Sequence, residues 1–295
     1  MIAQARGALR RAVAPRVDDL ALRRYRTLSG RRKRDKRLDR ATLRALTRMV
    51  EQATEARRPF RALDRTVAQA FRALAEGDLS GDRPSAPVRR ALVQQFHRLY
   101  YHSHERTWQD TRFLGVNVWK TPLDLWLYQE LIHELRPDVL VEAGTKFGGS
   151  AYYFARMFDL IDHGQVVTID VEAQPDRPAH PRITYLSGSS TDPDVFARVG
   201  ALLGDGKPLI VLDSSHRRRH VLAELRLWSP LVPVGSYIVV EDTHAGGHPV
   251  STNIGRGPWA AVREFLAETD DFEVDESMHK YFLTFNPRGY LKRVN

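Results

Sequence analysis

Apolar residues recur along the chain with two different periods, and the change falls near residue 120. Upstream, ATLRALTRMVEQATEARR (41–58) and LDRTVAQAFRALAEG (63–77) space apolar residues three and four apart, which predicts amphipathic helices. The turn-rich stretch GDLSGDRPSAP (77–87) follows them and predicts a boundary. Downstream, short apolar runs predict strands at 138–144, 165–170, 182–188, 208–214 and 236–242. Between them lie helical patterns such as SAYYFARMFDL, VFARVGALL and HVLAELRLWSPL. Strands that alternate with helices imply right-handed crossovers and a parallel, doubly wound α/β sheet covered on both faces. After a last helix, PWAAVREFLAE, the runs DFEVDE (271–276) and KYFLTFN (280–286) stand too close together for a crossover, so they predict an antiparallel hairpin at the sheet edge. The expected organisation is a basic helical extension over 1–85, a linker and lead-in helix over 86–120, and the sheet domain over 121–295.

Composition narrows what this plan can do. The 295 residues are 42% hydrophobic and contain no cysteine, which excludes a disulfide framework, a zinc–thiolate centre and a cysteine nucleophile. A metal here must be held by oxygen or imidazole. The longest apolar runs fall far short of the roughly 20 residues that span a bilayer, and arginines interrupt the first residues where a secretory signal would need an apolar core, so a cytoplasmic protein is expected. The net charge of +9 is unevenly placed: residues 1–100 carry 25 lysines and arginines against 10 acids, and the remainder carries 20 against 26. Basicity therefore belongs to the first third, where GRRKRDKRLDR (30–40) is either solvated charge on a helical surface or a disordered arm, or a patch for an anionic membrane or nucleic acid. The sheet domain is acidic, which disfavours nucleic acid as its partner.

In a doubly wound sheet, ligands bind at the carboxyl ends of the strands, and here nearly every strand ends in an acid or a glycine. The first runs into VEAGTKFGGS, bringing Glu142, Gly144, Gly148, Gly149 and Ser150 to the start of a helix. Such a turn either lets a ligand approach the backbone or serves packing alone. The second ends at Asp170, 26 residues after Gly144, a spacing suited to gripping ribose hydroxyls. Capping of the next turn is the alternative. The glycine pattern is not G-x-G-x-x-G, which disfavours a dinucleotide, whereas the ribose of S-adenosylmethionine is served equally well by such an acid. The third ends in Gly188, Ser189 and Ser190, a loop placed to lie beside an adenine or to cap a helix. The fourth and fifth end in LDSSH and VVEDTH. If these strands are adjacent, Asp213, Glu241 and Asp242 converge, and their repulsion calls for a hard divalent cation, magnesium or manganese. His216, three residues after Asp213, can face the same cavity and accept a proton. His244 and His248 are candidates for the substrate side, and His220 reads as an exposed helix residue.

Five parallel strands and a terminal hairpin are the plan of class I methyltransferases. LGVNVWKTPLDLWLYQELI (114–132), VEAGTKFGGSAYYFA, LDSSH, HVLAELRLWSPLV, GSYIVVEDT, GHPV and LTFNPRGYLKRV together resemble the cephalosporin hydroxylase family, which includes rhamnosyl O-methyltransferases. The resemblance spans about residues 105–295. It implies S-adenosylmethionine at Glu142, Gly144 and Asp170, magnesium at Asp213, Glu241 and Asp242, and O-methylation of a sugar, glycosylated natural product or glycolipid. The D-x-x-H spacing is also similar to that of magnesium-dependent macrolide sugar O-methyltransferases, which implies His216 as the general base. Lys146 stands where the family often has histidine, and His244 where asparagine commonly follows E-D-T; both departures bear on the substrate. No two-histidine, one-carboxylate iron triad is recognisable, which disfavours oxygenation. The rival readings are a methyltransferase-like binding module without chemistry and a metal-dependent hydrolase. The expected partners are a hydroxyl-bearing acceptor, a further copy of the chain in a homo-oligomer, and an anionic membrane surface reached peripherally through the basic extension.

Overall fold

The computed structural model describes residues 86–250 and 255–295. The chain divides into two units, residues 1–96 and 97–295. Of the first, only the opening of helix α1 (Ala86–His102) is described, so the helices expected at 41–58 and 63–77 and the basic run at 30–40 lie outside the described residues.

The second unit is organised by a seven-stranded sheet. In chain order its elements are α2 (Pro122–Leu135), β3 (Val139–Ala143), α3 (Gly149–Ile161), β4 (Gln165–Asp170), β5 (Ile183–Ser187), α4 (Pro193–Leu203), β6 (Pro208–Leu212), α5 (Arg218–Trp228), β7 (Tyr237–Val240), α6 (Pro258–Phe265), β8 (Phe272–Val274) and β9 (Tyr290–Arg293). Two short strands, β1 (Arg112–Phe113) and β2 (Val116–Asn117), form a separate antiparallel pair ahead of α2. The large sheet runs β5-β4-β3-β6-β7-β9-β8, with β3 to β7 parallel and β9 antiparallel to both of its neighbours. This is the class I methyltransferase plan.

The near-continuous apolar strands follow from burial on both faces, where successive side chains go to opposite layers. On β6, Leu209 and Val211 pack with Leu127, Tyr128, Phe154 and Phe158 of α2 and α3, while Ile210 and Leu212 pack with Val199, Leu225 and Val262 of α4, α5 and α6. Each such aliphatic side chain, fully buried, contributes roughly 1.5–3 kcal/mol, so the central strands are the most firmly held part of the unit. Among the described residues no helix is long and apolar enough to cross a membrane.

One expected strand is absent. The edge hairpin partner is β9, Tyr290–Arg293, which pairs with both β7 and β8; KYFLTFN (280–286) forms no strand. Its polar groups are spent elsewhere. Asp124 Oδ2 accepts from the Phe285 amide at 2.9 Å, the Phe285 carbonyl accepts from the His244 amide at 3.1 Å, and Asn286 Oδ1 accepts from the Asp242 amide at 3.0 Å. A segment that braces the loop after β7 through these bonds cannot also lend its backbone to a ladder.

Candidate active site

The strand order reverses between β3 and β6, and the crevice opens there, at the carboxyl ends, as the switch-point rule requires. A cavity of about 520 Å³ occupies it. It is lined by Gly144, Asp170, Glu172, Ser189 and Ser190, by Asp213, His216 and Asp242, and by the aromatic rings of Tyr101, Trp108 and Trp119.

Gly144 follows β3 at φ +101°, where a Cβ would stand 2.0 Å from the Asp213 carbonyl oxygen. Only a glycine lets the ends of β3 and β6 approach this closely. Gly148, at φ +76°, starts α3 without any side-chain cap, and a Cβ on Gly149 would meet the Asn117 carbonyl at 2.1 Å. Neither glycine lines the cavity, nor does the buried Ser150; they shape the turn from behind. Asp170 does line it. Its Oδ2 accepts from the amides of Thr145 (3.1 Å) and Lys146 (2.8 Å) and from Arg177 (3.0 Å), and its Oδ1 accepts from the Glu172 amide (3.0 Å). The carboxylate thus fastens the glycine turn after β3 to the end of β4, in addition to facing the crevice.

Glu142 is fully buried beneath this turn, accepting from the Thr168 hydroxyl at 2.7 Å. Burial pushes its pKa up to about 7, against the opposing pull of Lys120 and the hydroxyls of Ser150 and Thr168. A folded-state value above the ordinary one means that the native protein binds the proton more tightly than the unfolded chain. Its contribution is therefore favourable below about 4.5 and is lost as pH rises towards about 7. Glu142→Gln is expected to leave stability unchanged in acid and to raise it by roughly 2–3 kcal/mol above neutrality, read from denaturant unfolding across pH. Equal effects at both ends of the range would show that the pKa of Glu142 does not differ between the folded and unfolded states.

After β6 and β7, Asp213, His216 and Asp242 can each present one ligand atom with all three atoms inside 4.8 Å of one another. His216 Nε2 stands 3.4 Å from Asp213 Oδ1 and 3.2 Å from Asp242 Oδ2. Burial lowers its pKa, but Asp242 and then Asp213 outweigh it and lift the imidazole to about 9. It can serve as a base only once that carboxylate charge is neutralised by a bound cation. Asp242, at φ 54°, is raised by burial yet held well below the usual carboxylate range by His216 and His244. The two carboxylates at this separation suit a hard divalent ion, which leaves the imidazole between them for proton transfer.

Glu241 is placed differently from the other two acids. Its Oε1 accepts from Tyr128 Oη at 2.6 Å and pairs with Lys120 Nζ at 2.6 Å, and the same Nζ donates to Asp213 Oδ2 at 2.6 Å. Burial opposes the charge on Lys120, but Asp213, Glu241 and Glu142 raise its pKa and keep it protonated. Neither Lys120 nor Tyr128 was singled out by the sequence pattern; the nearest signal is their position in the stretch 114–132.

His244 is fully buried rather than turned to the cavity, with Nδ1 2.7 Å from His97 Nε2 and Nε2 3.3 Å from Asp242 Oδ1. His248 stacks on Trp259. His220, expected on an exposed face, lines the cavity and stands 3.1 Å from Ser190 Oγ. Ser190 and Ser214 both donate to the buried Glu224, at 2.5 and 2.6 Å, which ties the loop after β5 to the loop after β6.

Known proteins resemble this chain in sequence and in fold. The family described as rhamnosyl O-methyltransferase/CmcI matches residues 105–294. A rhamnosyl O-methyltransferase of Mycobacterium bovis is 37% identical over 211 residues, covering 69% of this chain and 85% of that protein. One of Mycobacterium leprae is 35% identical over 210 residues, covering 69% and 91%. Among solved structures, CmcI described with Mg and SAM superposes with a TM-score of 0.50 at 20% identity, covering 76% of this chain and 94% of that one, a likeness of fold.

Proposed function

The chain belongs to the rhamnosyl O-methyltransferase/CmcI family, and from that premise we propose that it is an O-methyltransferase using S-adenosylmethionine and magnesium on a hydroxyl of a sugar, glycosylated natural product or glycolipid. The observation that carries the reading is one cavity lined both by Gly144, Asp170 and Ser189 and by Asp213, His216 and Asp242.

The donor supplies a methyl group on a sulfonium, and magnesium supplies Lewis acidity towards an acceptor hydroxyl. The residues do the rest. Gly144 and the Asp170-fastened turn hold the donor end, with Asp170 and Glu172 offering carboxylate acceptors to ribose hydroxyls and the Ser189–Ser190 loop flanking the base. Asp213 and Asp242 would hold the cation, with Glu241 adding to the acidic set through the shared Lys120. His216 would take the acceptor's hydroxyl proton as the methyl group passes from the sulfonium to that oxygen, with S-adenosylhomocysteine as the leaving group and the methyl ether as product. Tyr101, Trp108 and Trp119 present aromatic faces to the acceptor and exclude water. Their task is to bring oxygen and methyl carbon to roughly 3–3.5 Å in line.

The test is calorimetric titration of S-adenosylmethionine with and without magnesium, followed by transfer of labelled methyl to a panel of rhamnosides and other glycosides. Failure to bind the donor would sink the proposal. Binding of donor and magnesium without transfer to any glycoside would favour the binding-module alternative.

Asp170→Ala is expected to weaken donor binding by at least tenfold. Each charge-assisted hydrogen bond contributes roughly 1.5–3 kcal/mol, and the substitution also frees the Thr145 and Lys146 amides that the carboxylate now holds. Unchanged affinity in calorimetry would take Asp170 out of the donor site.

A further inference from the structure

Lys120 comes from the segment between β2 and α2, and its ammonium is almost completely buried. It lies 2.6 Å from Asp213 Oδ2 and 2.6 Å from Glu241 Oε1, two acids contributed by different strand ends. A lysine so placed has no solvent counter-ion, and its charge is answered by those two carboxylates. With Asp242 and His216, the rim gathers three carboxylates, one imidazole and one lysine, and Lys120 is the buried cation among them.

We infer that Lys120 determines which cation charge the site selects, by cancelling one carboxylate charge and engaging Glu241 and one oxygen of Asp213. Asp213 Oδ2 is engaged by Lys120, whereas Asp213 Oδ1 is the oxygen that stands near His216. The lysine therefore divides the acidic cluster into a compensated part and a part open to a metal. It is a positioning and selectivity residue, because it touches the metal ligands and neither substrate nor donor. The inference rests on the proposed cation site at Asp213 and Asp242.

The physical consequence is specific. Removing one positive charge near the site strengthens its attraction for every cation in proportion to the cation's own charge, so a trivalent ion gains half as much again as a divalent one. Any loosening of ligand geometry weakens two ions of similar size together and cancels in the ratio of their affinities.

The experiment uses the full chain with Tb³⁺ and Ca²⁺, ions of nearly the same size that differ by one charge. Terbium is read by luminescence sensitised by Trp108 or Trp119, which line the same cavity, and calcium by its displacement of terbium. Wild-type binding of Mn²⁺, followed by electron paramagnetic resonance, is measured first. Lys120→Met is expected to raise the terbium-to-calcium affinity ratio by about tenfold or more, while Lys120→Arg, which keeps the charge, stays near the wild-type ratio. Should Lys120→Met fail to fold, judged by circular dichroism, Lys120→Gln supplies the neutral variant and the same increase is expected. A wild-type ratio in the folded neutral variant overturns the role of Lys120 while the cation site stands. No manganese binding to the wild-type protein overturns the cation site itself, and the role of Lys120 with it.

Discussion

Replacing His216 by alanine is expected to lower turnover by about 10²–10⁴-fold, the usual contribution of a general base, while binding of S-adenosylmethionine stays close to wild type. The imidazole lies beside both carboxylates of the proposed cation site, with Nε2 3.2 Å from Asp242 Oδ2 and 3.4 Å from Asp213 Oδ1. Its loss should therefore appear in the rate of transfer rather than in donor affinity. The deficit should shrink as pH rises, because the acceptor hydroxyl then ionises without help. Asp213→Ala should behave in the opposite way: magnesium affinity falls, and raising the magnesium concentration restores part of the rate. The measurement is turnover against pH at saturating magnesium for both variants, with donor affinity from calorimetry. Wild-type turnover and an unchanged pH profile for His216→Ala would move the base elsewhere.

A second large effect is expected at a residue without a side chain. Gly144→Ala places a Cβ 2.0 Å from the Asp213 carbonyl oxygen and 2.5 Å from its carbon, at a backbone φ of +101° that L-residues rarely adopt. Both contacts are with backbone, so no rotamer change relieves them. Left-handed strain and overpacking each cost roughly 1–3 kcal/mol, and the chain can escape only by parting the ends of β3 and β6. That separation would move Asp213, whose amide donates to the Ala143 carbonyl at 2.7 Å. One methyl group should therefore lower stability by roughly 2–4 kcal/mol and weaken donor and magnesium together. Denaturant unfolding and two calorimetric titrations measure all three. Loss of donor binding alone, with stability and magnesium affinity intact, would confine Gly144 to the donor turn.

The two variants probe different kinds of information in the chain. That Asp170, Asp213 and Asp242 end up around one crevice was legible in the sequence, because each ends a strand of a parallel sheet and right-handed crossovers put all such ends on one rim. The same reasoning located Gly144 and His216. The basic first third, by contrast, is known only as composition, and its predicted helices lie outside the described residues.

Sequence alone determined the alternation of strands and helices, the carboxyl-end rim and the chemical types gathered on it, since those depend on local periodicity and on the handedness of crossovers. Tertiary structure alone decided the partners. Lys120 reaches Asp213 across 93 residues and Tyr128 reaches Glu241 across 113, and His97 meets His244 across 147. Such pairings have no period to betray them. KYFLTFN reads as a strand by its apolar pattern, but the amides and carbonyls of that segment are bound by Asp124 and by the loop after β7, and β9 takes the place beside β7 instead. The reason is the same in each case: a buried polar group must find a partner somewhere in the fold, and which partner it finds depends on where packing has placed every other group.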